Sequence, residues 1–132
     1  MNKSDEEFDL SEIVALSSEP LECVDIVELR TMMSEDTSEE CLAAIYANVF
    51  NKTGWLMHSL DDEEENTPEI RTKYKEWRAF EIELEERIFD ILRIETPEFF
   101  PKGEKIRGVY FVMAPFMERN GYRGKGGWWR KE

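Results

Sequence analysis

The chain has 132 residues, 41% of them hydrophobic and 12% aromatic, which is enough for one core and too few for two domains. Its formal net charge of −13 repels nucleic-acid phosphate at long range and argues against nucleic-acid binding over the main surface. The charge is uneven: residues 1–40 sum to −11, 41–100 to −7 and 101–132 to +5, so only the last third can offer phosphate contacts.

The amino terminus turns acidic at once and contains no apolar run of signal-peptide length, and nowhere do about 18 apolar residues follow one another as a membrane span requires. The expectation is a soluble, cytoplasmic protein. Cys23 and Cys41 belong to no ligand or redox motif and are expected to be reduced, small apolar residues.

Residues 1–18 mix acids with scattered apolar groups, as in "EEFDLSEIVAL". This segment is expected to be mobile, with at most a conditional helix. Residues 19–120 read as a single helical domain. Pro20 suits a first helical position, and Leu21 to Met33 forms a short N-terminal helix, a strand being the rival reading of the same apolar run.

Thr37 followed by Glu40 has the pattern of a capping box and starts a long helix over about 38–60. Leu42, Tyr46, Val49, Thr53, Leu56 and Leu60 then recur at steps of four and three, the seam of a helix packed along a partner, with Gly54 as its weak point. The acidic "DDEEEN" of Asp61 to Asn66 is a short connection. Thr67 caps the second arm and Pro68 fills its first turn. Ile70, Tyr74, Trp77, Glu81, Leu84, Ile88 and Ile91 continue the same spacing over about 67–95, until Thr96-Pro97 stops it.

The centre is therefore predicted to be a long antiparallel helical hairpin. Each arm has one polar intruder in its seam, Thr53 and Glu81. A turn centred between Glu63 and Glu64 sets Glu81 opposite Tyr46 and Thr53 opposite Tyr74. A Tyr46 to Glu81 hydrogen bond is expected, since a buried carboxylate without a partner is costly. Arg78, Ile82, Glu85 and Phe89 form a second stripe that needs a third element. Ile106, Val109, Tyr110, Met113, Phe116 and Met117 supply it as a third helix over about 104–120, kinked by Gly108 and Pro115 and stopped by Asn120-Gly121. A strand over 106–113 is the rival. The fold class is all-α.

Catalytic chemistry has little to work with. His58 is the only histidine and lies near the end of the first arm, so no catalytic residue is assigned. Two cysteines and one histidine cannot complete a zinc site, Glu-x-x-His is absent, and "HSLDDEEE" lacks the spacing of a calcium loop, so neither metal nor cofactor is expected. "GYRGKGG" is no phosphate loop, because Gly126 stands where Ser or Thr is needed and no helix can follow.

What remains is binding. Residues 121–132 form a basic Gly/Trp tail. With Arg119, it brings Tyr122, Arg123, Lys125, Trp128, Trp129, Arg130 and Lys131 together as the candidate partner-binding set. Two readings stand. In one the tail grips an anionic partner; in the other it is a clasp on the protein's own acidic body, which tryptophan burial favours. The function read from the sequence is that of a small acidic, non-enzymatic regulatory or accessory protein. It would act through protein–protein binding to a partner with a basic surface, one form being an inhibitor of a nucleic-acid-binding protein. The alternative is an RNA- or DNA-binding module working through the tail alone. Apolar residues outside the seam leave a homodimer open.

Overall fold

The computed structural model describes residues 25–99, 109–125 and 128–131. In chain order these are α1 (Ile26–Glu35), α2 (Glu39–Leu60), α3 (Pro68–Glu95), a 3-10 turn (Pro97–Phe99), α4 (Val109–Arg119), β1 (Tyr122–Lys125) and β2 (Trp128–Lys131). The expected mobile segment over 1–18 lies outside the described residues, as do Cys23 and residues 104–108 of the expected third helix.

The two arms form where their sequence signals put them. Thr67 accepts a hydrogen bond from the Ile70 amide at 3.3 Å with Pro68 opening α3, and at the far end the Thr96 hydroxyl donates to the Leu92 carbonyl at 3.0 Å. The start of α2 is corrected by one residue. Ser38, and not Thr37, is the cap, its hydroxyl accepting from the Cys41 amide at 3.1 Å while Asp36 accepts from the Ser38 amide at 3.0 Å. No hydrophobic residue distinguishes Thr37 from Ser38; the Asx turn at Asp36 decides which of them faces the open amides.

Helix α2 is the centre of the molecule. From Ala43 to Val49 every residue is buried, as are Asn51, Lys52 and Thr53, so this stretch is enclosed on every side instead of along one seam. Helix α3 lies along it, burying Trp77, Leu84 and Ile88 from the predicted seam. Helix α1 covers α2 and α3 with Leu29 and Met33, holds Arg30 over the Phe80 ring at 4.9 Å, and joins Arg30 to Glu83 at 2.9 Å. Residues 109–119 are helical, which settles those positions against the rival strand, and Pro115 stands inside α4.

The chain then turns at Gly121, whose φ of 90° lies in the left-handed region that glycine adopts without steric cost, with its amide bonded to the Glu118 carbonyl at 3.0 Å. Beyond it the segment read as a loose tail is an antiparallel β-hairpin. Tyr122 faces Lys131, Arg123 faces Arg130, Gly124 faces Trp129 and Lys125 faces Trp128. Four-residue strands carry almost no periodicity in the sequence, and their pairing here supplies the backbone partners that a lone strand lacks.

Among the described residues, Asn51 hydrogen-bonds the hairpin backbone to α2. Asn51, buried in the middle of that helix, donates from Nδ2 to the Trp129 carbonyl at 2.9 Å and accepts at Oδ1 from the Trp129 amide at 3.0 Å. Its carboxamide thus pairs with the β2 edge as a neighbouring strand would. The Trp129 side chain is fully buried, with its ring edge-on to Phe50 at 6.3 Å between centroids. Trp128 lies over Gly54. A Cβ there would be 3.0 Å from the indole, so the glycine that weakens the helix is the space that the indole uses. The tryptophan packing of the clasp is thus observed, whereas Lys131 donates to a backbone carbonyl and not to an acid.

Two substitutions probe this attachment. Asn51→Ala leaves a buried amide and carbonyl unbonded and is expected to cost about 2 to 4 kcal/mol in denaturant unfolding. Asn51→Asp keeps the acceptor but turns an oxygen toward the Trp129 carbonyl, and at neutral pH it should be the less stable of the two.

Candidate functional site

The predicted binding residues are dispersed by the fold. Arg119 is a tie between three helices: its Nε donates to Glu39 at 2.8 Å and its Nη1 to Glu95 at 2.9 Å, while Asn120 reaches Glu39 at 2.8 Å. The guanidinium holds the Glu39 carboxyl below its ordinary value despite partial burial, and the Arg119 pKa is raised mainly by its bonds to the same acids. Tyr122 is buried under Lys131, whose ammonium lies 5.0 Å from the ring and donates to the Asn120 carbonyl at 3.0 Å. Trp129 is in the core. Arg123 and Arg130 are cross-strand partners with exposed side chains, and Lys125 is described only by its backbone position opposite Trp128. Trp128, from this set, lines a cavity.

That cavity is a cleft of about 580 Å³ between α2, α3 and the start of α4, lined by Phe50, Thr53, Gly54, Met57, His58, Asp61, Tyr74, Arg78, Glu81, Glu85, Val109 and Trp128. One wall is aromatic: Trp128 rests against Trp55 at 5.8 Å and His58 at 6.1 Å between ring centroids. The opposite wall carries a carboxylate pair. Glu81 and Glu85, one turn apart on α3, are both buried, and Arg78 on the preceding turn bonds to both, to Glu85 at 3.3 Å and more closely to Glu81.

Two acids share one guanidinium, and the charge does not balance. Burial, opposed by Arg78 and reinforced by the Glu85 carboxylate, pushes Glu81 up to about 8. Burial also works against the Arg78 charge, but the two acids more than restore it. The expected Tyr46 to Glu81 hydrogen bond is absent. The Tyr46 hydroxyl is fully enclosed beside both carboxyls and meets neither in hydrogen-bonding geometry; burial, with their charge, holds this phenol well above its ordinary value. Arg78 displaces it because a guanidinium on the same helix, three residues away, is the stronger partner. Thr53 and Tyr74 do share the cleft, yet the Thr53 hydroxyl donates to its own helix at the Val49 carbonyl, 2.8 Å away.

Reading the sequence singled out Glu81 as an intruder and placed Arg78 with Glu85, but assigned no site to them. The available signal was their spacing, since 78, 81 and 85 fall on one helical face. Asn51 carried no signal at all. Cys41, the described cysteine, is buried as a free thiol; burial and then the nearby charges of Asp36 and Glu40 push it up to about 11. No helix among the described residues is long and apolar enough to cross a membrane. Comparison with protein-family models, with curated proteins and with solved structures returned no match.

The raised Glu81 value has a signed consequence. An unfolded chain releases this proton near the ordinary value of 4.5 and the folded chain only near 8, so between them the folded state holds the extra proton. Its contribution to stability is full below the lower value and is lost as pH rises through the upper one. Glu81→Gln should therefore melt close to the parent near pH 5 and about 5 °C or more above it at pH 8.5, in thermal melts across that range.

Proposed function

We propose that this protein is a small, non-enzymatic accessory protein that acts by binding a basic partner, a protein that itself binds nucleic acid, through the acidic outer face of its helical hairpin. The observation that carries the reading is a stripe on α3. Glu69, Glu76, Glu83 and Asp90 are spaced by seven residues, with Glu86 beside them, and all five are exposed. Seven residues are about two turns, so these acids stand in a row roughly 10 Å apart.

Glu83 is paired with Arg30 and Asp90 with Arg93, whereas Glu69, Glu76 and Glu86 have no ion pair among the described residues. The row meets the acidic turn Asp61 to Glu65 at the hairpin tip, where every side chain is exposed. Exposed Lys73 and Arg87 stand within the row, so its field is mixed along α3 and strongest in acid at the tip; the net excess of acid steers a basic partner to the surface and repels nucleic acid.

The positive charge of the carboxy-terminal third supports the same reading by where it is spent. Arg119 binds Glu39 and Glu95, Lys131 caps Tyr122, and Trp129 is buried, so of the aromatics that a single-stranded nucleic acid would stack on, Tyr122 and Trp129 are engaged within the fold and Trp128 lines the cleft. The exposed Arg123 and Arg130 are what the alternative RNA- or DNA-binding reading keeps.

Affinity purification from the native cell, with the lysate treated with nuclease, tests the proposal. A nucleic-acid-binding protein should co-purify, be released by raised salt, and be lost from a Glu69→Gln, Glu76→Gln, Glu86→Gln variant while surviving Arg123→Ala, Arg130→Ala. Recovery of nucleic acid alone, abolished by the arginine variant and indifferent to the glutamine one, would transfer the function to the hairpin.

A further inference from the structure

We propose that the cleft between Trp128 and the Glu81–Glu85 pair is a binding site for a small organic ammonium ion with a flat apolar body. Its capacity of about 580 Å³ falls within the range of small-molecule sites. The lining is divided in the way that such a ligand requires. Phe50, Tyr74, Trp128 and His58 offer ring surface, Met57 and Val109 add aliphatic contact, and the polar groups are concentrated at Arg78, Glu81, Glu85 and Asp61.

The sign of the ligand follows from how those groups are already bonded. Arg78 meets both glutamates through Nη1, so its single positive charge is set against two carboxylates. With both glutamates ionised, the three residues carry one uncompensated negative charge in a mostly buried place, and Asp61 at the mouth has the same sign. A cation is the missing partner. An ammonium supplies hydrogen bonds to the carboxylates, and the rings beside it favour positive charge further. A neutral apolar molecule would leave the acids as they are. A metal ion is disfavoured because no three His, Cys, Asp or Glu side chains among the described residues converge to hold one.

The Tyr46 hydroxyl, fully enclosed beside the pair, adds to the burial that the two acids meet on that side. Binding is then an exchange in which the ammonium enters, the Glu81 carboxyl becomes a carboxylate, and one proton leaves for solvent. The charged and titratable groups facing the exchange are Tyr46, His58 and Asp61 from α2 and its end, and Tyr74, Arg78 and Glu85 from α3.

Isothermal titration of the full chain with phenethylamine, repeated in two buffers of different ionisation enthalpy, tests this. Near pH 6.5 about one proton should be released per ligand bound, falling toward none near pH 9, with affinity rising over that interval. The isosteric anion 3-phenylpropionate should bind at least about tenfold more weakly, and the Trp128 indole resonance should shift only with the amine. Glu81→Gln, which keeps the fold, should abolish proton release and weaken the amine about tenfold or more. Absence of saturable binding at millimolar amine, equal binding of the anion, or proton release that survives Glu81→Gln would each overturn the proposal.

Discussion

The hydrogen-bonded pairing of Asn51 with the Trp129 peptide is the constraint on which the rest of this fold depends. A carboxamide in the middle of a buried helix is unfavourable unless both its donor and its acceptor are met, and here one residue of a β-strand meets both. The same contact carries the Trp129 ring into the core and lays Trp128 over Gly54. Helix α2 is thereby closed on the side that α1 and α3 leave open. A helical hairpin of 22 and 28 residues becomes a small fold with a central helix.

Enclosure also explains the electrostatics. The acids that remain at the surface cost little, because water and salt screen them. Glu81 and Glu85 have less such relief, since they are mostly buried at the cleft wall and one arginine cannot neutralise two carboxylates. The molecule therefore has two kinds of negative charge: a solvated row on α3 suited to long-range attraction, and a buried pair that holds a proton above neutral pH. The proposed partner engages the first, and the proposed ammonium engages the second.

Much of the helical frame was readable because each arm carries a repeated signal. Thr67-Pro68, the four-three spacing and Thr96-Pro97 bound α3 to within a residue of its observed limits. The hairpin at the end was not readable. Its strands are four residues long, and the contacts that define them come from Asn51 and Phe50, some 78 positions earlier for the asparagine. The packing of the tryptophans on the helices was nevertheless legible, since the apolar area of an indole outweighs exposed ion pairs, while the expected pairing of the tail's cations with the acids is not what Lys131 does. Thr53 and Tyr74 do meet in one cleft, as their register across the seam implies, but Glu81 takes a partner that register does not show: the guanidinium that binds it is on its own helix, at position 78.

Amide hydrogen exchange of Trp129 tests the clasp most directly. Its N–H is buried and bonded to a side chain of the central helix, and it cannot meet water without detaching the hairpin from α2. The account predicts that this amide exchanges as slowly as those of Ile45 to Val49 in the middle of α2, so that it opens only with global unfolding. Exchange of Trp129 within seconds while the α2 amides remain protected would show a tail that leaves the body freely, and would contradict the account.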